Sequence, residues 1–297
     1  MLQVLLQTLL PLSLFIIMLS IGLSVAWRDF LRAFTEFRPL LLGTSLQIIG
    51  LPLLALLIIT LSGLQGAPAL ALMIIACCPG GATSNGITFV FGGVVTLSVA
   101  LTLISSLLAP LTAPLVTQWS LQHFAALDGD YVFPLGRTVL QLLLISVLPI
   151  ILGNLAQHWW PRWSRAWAPH IKRYASLLFL GVLLLMIASN YRLLGSIVTE
   201  LGAVMLVMVA VAMAMGFCAA RALGLGPAWR LTLAIEIGLQ NAGVGLIITE
   251  VVLRDSHLSM MLVTYGILMQ VPVLAFSAWY RRHAIAPAPG ASTMAAD

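Results

Sequence analysis

The chain has 297 residues, of which 61% are hydrophobic and 8% are charged, and its mean hydropathy is +1.08. A soluble domain carries about 25% charged residues, so this composition excludes a soluble protein and predicts an integral membrane protein. The net charge of +5 does not indicate nucleic-acid binding, because the basic residues are spread over short loops between apolar spans.

Nine apolar spans can be placed along the chain at about 20 residues per membrane crossing, which predicts an all-α protein with nine transmembrane helices. The spans are Val4 to Ala26, Leu40 to Leu61, Ala67 to Phe91, Val94 to Val116, Phe133 to Gln157, Tyr174 to Asn190, Leu201 to Ala222, Trp229 to Leu253 and Leu258 to Trp279. The first span lacks an early polar region and a small-residue cleavage site, so we interpret it as a retained helix. The tail, residues 284–297, is rich in Ala and Pro and is expected to be disordered.

The positions of Lys and Arg predict the orientation in the membrane. Counted on alternate sides of the nine spans, eleven fall on one side and only Arg137, Arg192 and Arg254 on the other. The positive-inside rule then places the C-terminus in the cytoplasm and the N-terminus outside. Residues 158–173 interleave Trp with basic residues, which is typical either of a segment lying along the cytoplasmic surface or of an ordinary connecting loop.

Two of the spans are interrupted. Residues Cys78 to Gly86 break the third span and Glu236 to Gly243 break the eighth, because Pro, Gly and clustered polar residues leave backbone groups without helical partners. Such breaks are tolerated only where they are buried in protein or line a cavity, so they predict a site near mid-membrane depth. Since the broken spans are five apart, the two halves of the chain would form an inverted repeat with two crossing broken helices.

Glu236 is the most informative polar residue. A carboxylate inside a membrane span costs about 3 kcal/mol or more, so it needs a cation, a proton or hydrogen-bond donors. A protonated, locally bonded carboxyl is the structural alternative, but Gln240 lies one helical turn further on the same face and Asn241 follows, which favours a functional site. Glu250, near the far end of the same span, is expected to extend to the membrane interface.

Other polar side chains lie in the neighbouring spans. Ser98, Thr102 and Ser105 form a stripe along one helix face, and Gln47 is a single amide in the second span. Taken alone, each of these is as typical of helix–helix contacts as of a binding site. Hydroxyls, amide oxygens, a carboxylate and free carbonyls are the ligands of a hard cation, so the set favours sodium over zinc or copper.

At these residues the chain resembles the bile acid:sodium symporter family, over nearly its whole length from about Met18. The matching stretches are Asp29-Phe30, Gln47, Cys77 to Asn85, Leu97-Ser98-Val99, Ser106 to Pro110 and Glu236 to Asn241. The resemblance implies a panel domain formed by residues 1–32 and 133–195, which hold spans one, five and six. It implies a core domain formed by residues 38–120 and 198–281. Bacterial members have ten helices, and this chain would lack the first, as some nine-helix relatives do.

The resemblance also implies two sodium sites, with sodium as the coupling ion and no cofactor. The first would use Ser84, Asn85, Ser98, Thr102 and Glu236. The second would use Gln47, Glu236, Gln240 and the backbone carbonyls of Ile237 and Leu239.

Substrate contacts do not transfer from the family. The first break has its threonine moved by one position, and the last span offers Gln270-Val271-Pro272 in place of the family's frequent Asn-Ile-Ser-Gly stretch. Our candidate substrate residues are Thr83, Asn85, Asn241 and Gln270.

The function implied is a symporter of the bacterial inner membrane that couples sodium entry to uptake of a small organic anion, bile-acid-like, a steroid sulfate or a carboxylate metabolite. Two sodium ions and one Glu236 carboxylate leave a positive charge that an anion would neutralise. The alternative is a proton- or gradient-driven efflux carrier for a small solute such as arsenite, with Cys77 and Cys78 as soft ligands. An intramembrane enzyme is disfavoured, because no His lies in a span and no two acids have catalytic spacing.

Overall fold

The computed structural model describes residues 2–25, 37–124 and 133–284, which are almost entirely helical. The helices are α1 (Leu2–Ser24), α2 (Phe37–Ser62), α3 (Gly66–Ala76), α4 (Ala82–Phe91), α5 (Val95–Phe124), α6 (Leu135–Trp159), α7 (Pro161–Ser189), α8 (Tyr191–Ala222), α9 (Pro227–Gly238), α10 (Ala242–Val252), α11 (Ser256–Leu268) and α12 (Gln270–Ala284). Short π-helical turns occur inside α2, α6 and α10.

Seven helical segments in the described part of the chain are long and apolar enough to cross a membrane. They are α1, α2, α5, α6, α7, α8 and the near-continuous pair α11 and α12. Large apolar side chains on their surfaces are exposed, such as Leu61 at 78%, and this exposure suits contact with lipid rather than with water. The prediction of an all-helical membrane protein is therefore confirmed.

The remaining two predicted spans are each divided into two helices. The third span consists of α3 and α4, which are separated by residues 77–81. The eighth consists of α9 and α10, which are separated by residues 239–241. Both interruptions fall at the predicted stretches but are shorter, because residues 82–86, 236–238 and 242–243 are helical. At the first interruption, Pro79 and the adjacent glycines do not sustain a helix.

The structure corrects the interpretation of residues 158–173 as a connecting loop. Helix α7 begins with Pro161 at its first position, where the missing N–H costs nothing, and continues to Ser189 without interruption. Residues 161–173 are therefore helical and do not form a connecting loop, while their position along the cytoplasmic surface remains a prediction. Lys172 accordingly lies inside a helix that packs against the rest of the protein.

Packed helices surround the two breaks. Helix α1 packs along α6 and α7, while α8 packs along α9 and α11, and α3 packs against α5. The largest apolar core includes Leu10, Leu14, Ile74 and Met208, all nearly inaccessible to solvent. The prediction of a disordered tail falls almost wholly on residues 285–297, which lie outside the described residues, as does the Asp29-Phe30 pair.

Candidate ion and substrate site at the helix breaks

The first break opens the backbone between α3 and α4. Cys77 and Cys78 end α3 with short-range hydrogen bonds to the carbonyls of the preceding turn, and Pro79 has no N–H to continue the helix. The next N–H, that of Gly80, donates instead to Ser105 Oγ of α5 at 3.1 Å. A side chain from a neighbouring helix thus satisfies a backbone group that the break exposes.

The second break lies directly against the first. The N–H of Asn241 donates to the carbonyl of Pro79 at 2.7 Å, and the N–H of Gly81 donates to the carbonyl of Leu239 at 3.3 Å. These two bonds form an antiparallel bridge that pairs Gly80 with Gln240. Each break therefore satisfies backbone groups of the other, which is how non-helical backbone becomes tolerable at membrane depth.

A fully buried carboxylate lies beside this bridge. Glu236 is 0% exposed, and hydroxyl groups surround it. Ser84 Oγ lies 2.6 Å from Oε1, Thr102 Oγ1 lies 3.3 Å from Oε2, and Ser98 Oγ also contacts Oε1. Ser98 Oγ in turn lies 2.7 Å from the amide oxygen of Asn85. The five residues of the first predicted sodium site are thus brought together.

These oxygens outnumber the hydrogens available to them. Ser84 Oγ lies 2.6 Å from both Glu236 and the carbonyl of Gly81, and Ser98 Oγ contacts both Glu236 and Asn85. With the Thr102 contact, there are five oxygen–oxygen contacts among these groups. Each hydroxyl carries one hydrogen, so three hydrogens serve five contacts. Protonation of Glu236 would supply a fourth hydrogen, and one of the five oxygen–oxygen contacts would still have no hydrogen between its two oxygens.

The residues of the second predicted site also lie close together. Gln47 of α2 donates through Nε2 to the amide oxygen of Gln240 at 3.2 Å, and Gln240 donates through Nε2 to the carbonyl of Ile237 at 2.9 Å. The carbonyl of Leu239 accepts from Gly81 as described, so each of these two carbonyls retains one lone pair. The Oε1 atom of Gln47 is buried and has no hydrogen-bond partner among the described residues.

Gly80 marks the space that the two sets of residues share. A Cβ atom built on Gly80 would lie 2.9 Å from Oε2 of Glu236 and 3.5 Å from both Gln47 Nε2 and Thr102 Oγ1. A real side chain there would collide with the carboxylate. The absence of a side chain at Gly80 therefore leaves room in which polar atoms from three helices converge.

A cavity of about 760 Å³ lies beside the crossing, within the range of about 300–1,000 Å³ usual for small-molecule sites. Its lining is mostly apolar, and its polar lining residues are Thr83, Lys172, Ser176, Gln240, Asn241 and Gln270. Three of the four predicted substrate residues thus line it. The fourth, Asn85, does not, and its amide oxygen faces the hydroxyl of Ser98 instead.

Lys172 and Ser176 are polar lining residues that were not among the predicted site residues, and Lys172 was counted only as a cytoplasmic charge. Lys172, Ser176 and Phe179 are spaced i, i+4 and i+7 on α7 and all line the cavity. That spacing is a recognisable helix-face signal. It was hidden because the helix was expected to begin at Tyr174.

The expectation for Glu250 is wrong. Its side chain is only 2% exposed, and its Oε2 has no hydrogen-bond partner among the described residues. The π-helical end of α10 that carries it packs against α1, α6 and α11. Contacts with these three helices bury this carboxylate, so it does not extend to the surface of the protein.

A membrane-spanning helical chain with a buried polar centre at two helix breaks, and a cavity beside it, defines a membrane transport protein. Residues 11–201 match the family model described as the Sodium Bile acid symporter family. The chain belongs to this family, and the resemblance seen in the sequence is confirmed.

Three relatives illustrate the range of similar proteins. The chain is 27% identical over 266 residues to the sodium-dependent transporter YocS of Bacillus subtilis, covering 89% of this chain and 77% of that protein. It is 26% identical over 281 residues to the human ileal sodium/bile acid cotransporter, covering 93% and 78%. It is 28% identical over 241 residues to the probable chloroplastic sodium/metabolite cotransporter BASS2 of Oryza sativa subsp. japonica, covering 79% of this chain. The chain spans about half the length of that rice relative, 54%.

Proposed function

We propose that this protein is a sodium-coupled secondary active symporter that takes up a small organic anion by alternating access. The observation that carries the proposal is the shortage of hydrogens around Glu236, because a cation shared by those oxygens would turn repulsive contacts into coordination. Hydroxyls, an amide oxygen and a carboxylate are ligands that suit a hard monovalent ion. The names of the relatives, which pair sodium with a metabolite or a bile acid, support the same coupling ion.

Two sodium ions would share the carboxylate of Glu236. The first ion would be held by Ser84, Asn85, Ser98, Thr102 and Glu236, and the second by Gln47, Gln240, Glu236 and the carbonyls of Ile237 and Leu239. The partnerless Oε1 of Gln47 supports the second site, since a buried acceptor without a donor is costly unless an ion or a water molecule is present.

The architecture proposed has nine crossings, seven of them by continuous helices and two by the broken pairs α3–α4 and α9–α10. The reciprocal hydrogen bonds between the breaks support an inverted repeat. The packing of α1 on α6 and α7 supports a panel domain built from these three helices, and the packing of α8 on α9 and α11 supports a separate core.

The proposed orientation has the N-terminus outside and the C-terminus in the cytoplasm of a bacterial inner membrane. In this orientation, the cavity residues Ile87, Lys172 and Leu274 lie towards the cytoplasmic ends of their helices, so the cavity opens inward. On the opposite side, the segment that carries Glu250 packs against α1 and α6 and closes the path. A cysteine added at the N-terminus should be labelled from outside and one after Arg282 from inside, and labelling of both from one side would contradict this topology.

The anion would bind after the ions, in contact with Thr83, Asn241 and Gln270. Two sodium ions and one carboxylate leave a net charge of about +1 in a poorly screened site, which an anionic substrate would neutralise. Sodium would also fix the backbone of both breaks before the anion arrives, which lowers the ordering cost of anion binding. By linkage, the anion must then tighten sodium binding by the same factor.

The efflux alternative, with Cys77 and Cys78 as soft ligands for a solute such as arsenite, has less support. Both thiols are buried, and Cys78 Sγ donates to the carbonyl of Ile74 at 3.3 Å. The space beside them holds about 10 Å³, which is room for roughly one water molecule. Family membership likewise favours transport over an enzymatic role.

The direct test is the melting temperature of the purified protein in sodium and in potassium, with and without a panel of organic anions. Sodium should raise the melting temperature and potassium should not, because an ion that binds only the folded state stabilises it by mass action. An anion that is a substrate should add to the shift in sodium and add little in potassium. Equal melting temperatures in the two salts would contradict the proposal.

A further inference from the structure

Lys172 is the one charged side chain among the described residues that line the cavity. It forms no ion pair or hydrogen bond with any other described residue. An unpaired ammonium group at the wall of a cavity that takes an anion is positioned to pair with the anion itself. The other polar lining groups are neutral, so Lys172 is the lining residue that can form an ion pair with an anionic group of a ligand.

The distance between Lys172 and the crossing sets the length of the molecule that can use both. Phe179 lies seven residues further along α7, which is about 10 Å at a rise of about 1.5 Å per residue. The ring of Phe179 reaches to 3.3 Å from the position that a Cβ of Gly243 would occupy, next to Asn241 at the second break. The crossing therefore lies about 10 Å from the lysine along the cavity, and Leu180 and Leu183 continue the lining beyond the crossing.

The wall between these two points is mostly apolar. It includes Ile17 of α1, Ile267 of α11 and Leu274 of α12, and Ser176 of α7 contributes one hydroxyl. Such a wall suits the hydrocarbon body of a ligand and offers no charged group between the crossing and the lysine. A ligand that reaches from the crossing to Lys172 would thus be polar at its two ends and apolar between them.

The charge balance points to the same kind of ligand. Under the proposed function, two sodium ions and Glu236 contribute a net charge of about +1, and Lys172 raises the total to about +2. A monoanion would leave the loaded cavity positive, whereas a dianion would neutralise it.

We propose that the cavity takes an elongated organic dianion, with one anionic group at the crossing beside Asn241 and the other paired with Lys172. This inference rests on the proposed function and refines it. Lys172 would then determine specificity by favouring the dianion over molecules of the same body that lack the second anionic group, because only the dianion gains an ion pair with the ammonium.

The test compares sebacate, a linear dicarboxylate, with its monomethyl ester, which has the same body and one charge. Binding to the purified full-length protein in sodium is measured by titration calorimetry. Wild type should bind sebacate about twofold to fivefold more tightly than the ester, a modest ratio because Lys172 is exposed and the pair is screened. Lys172→Met should abolish the preference and Lys172→Arg should retain it. Arg173→Met, next to Lys172 but outside the cavity lining, should leave it unchanged.

The outcomes separate this inference from the proposed function. Equal binding of the two probes by wild type, or an undiminished preference in Lys172→Met, would overturn the role of Lys172 while sodium-dependent stabilisation could still stand. If sodium stabilises the protein and neither probe binds, the elongated dianion is refuted and symport is not. If sodium has no effect on stability, the proposed function itself fails.

Discussion

Replacement of Glu236 with Gln should remove the response to sodium without unfolding the protein. The amide has the shape of the carboxylate and brings two hydrogens to a place where three hydroxyl hydrogens serve five oxygen–oxygen contacts. The variant thus has five hydrogens for five contacts and no buried charge. In potassium, it should be at least as stable as the wild type, because a buried carboxylate without a cation is costly.

The size of the lost response follows from mass action. At a sodium concentration about one hundred times Kd, one site stabilises the folded protein by about 2.7 kcal/mol. Glu236 is shared by both proposed sites, so the variant should lose about 5 kcal/mol of sodium-dependent stability. At roughly 2–4 °C per kcal/mol, this is a difference in melting temperature on the order of 10 °C.

The assay is thermal unfolding of the purified wild type and variant in sodium and in potassium. Glu250→Gln is the matched control, because Glu250 is also buried, at 2% exposure, and lies in the same broken span. The control should keep the wild-type sodium response. A full sodium response in Glu236→Gln, or an equal loss in Glu250→Gln, would refute the reasoning.

Three further substitutions test separate parts of the account. Ser98→Ala should weaken sodium binding, measured by titration, about tenfold. Ser120→Ala removes a buried hydroxyl that donates to its own helix, and it should leave sodium binding unchanged. Equal effects of the two substitutions would contradict the first site. Gly80→Ala places a methyl group 2.9 Å from the buried carboxylate and should abolish the sodium-dependent melting shift, and Gly195→Ala, which meets nothing within 4 Å, should preserve it. Asn241→Asp keeps the oxygen that caps α10 and adds a negative charge at the cavity. Anion affinity should therefore fall at least about tenfold, while sodium should still stabilise the folded protein. Unchanged anion affinity would show that Asn241 is not part of the substrate site.

The breaks and their polar residues could be predicted from the sequence because their signals are local. Pro79 and its neighbouring glycines cannot continue a helix, wherever the chain folds. Glu236 is conspicuous because a carboxylate is expensive in any membrane span. The structure brings these residues together at one crossing, and the role of each as a sodium ligand remains a prediction.

Other features depend on contacts that the sequence does not display. Glu250 resembles an interfacial acid in its own span, and only packing against α1, α6 and α11 buries it. Lys172 resembles a cytoplasmic loop charge because the Trp-rich and basic residues before it mask the start of α7 at Pro161. The excess of oxygen–oxygen contacts over hydrogens around Glu236 likewise involves residues of three helices, so it exists only in the folded protein.

The most direct test of the central claim is equilibrium binding of radioactive sodium to the purified protein, with potassium as competitor. The account predicts saturable binding that excess potassium does not displace, that Glu236→Gln abolishes and that Glu250→Gln retains. Absence of saturable binding in wild type, or the same binding in Glu236→Gln as in wild type, would contradict the claim that the crossing of the two broken helices holds sodium.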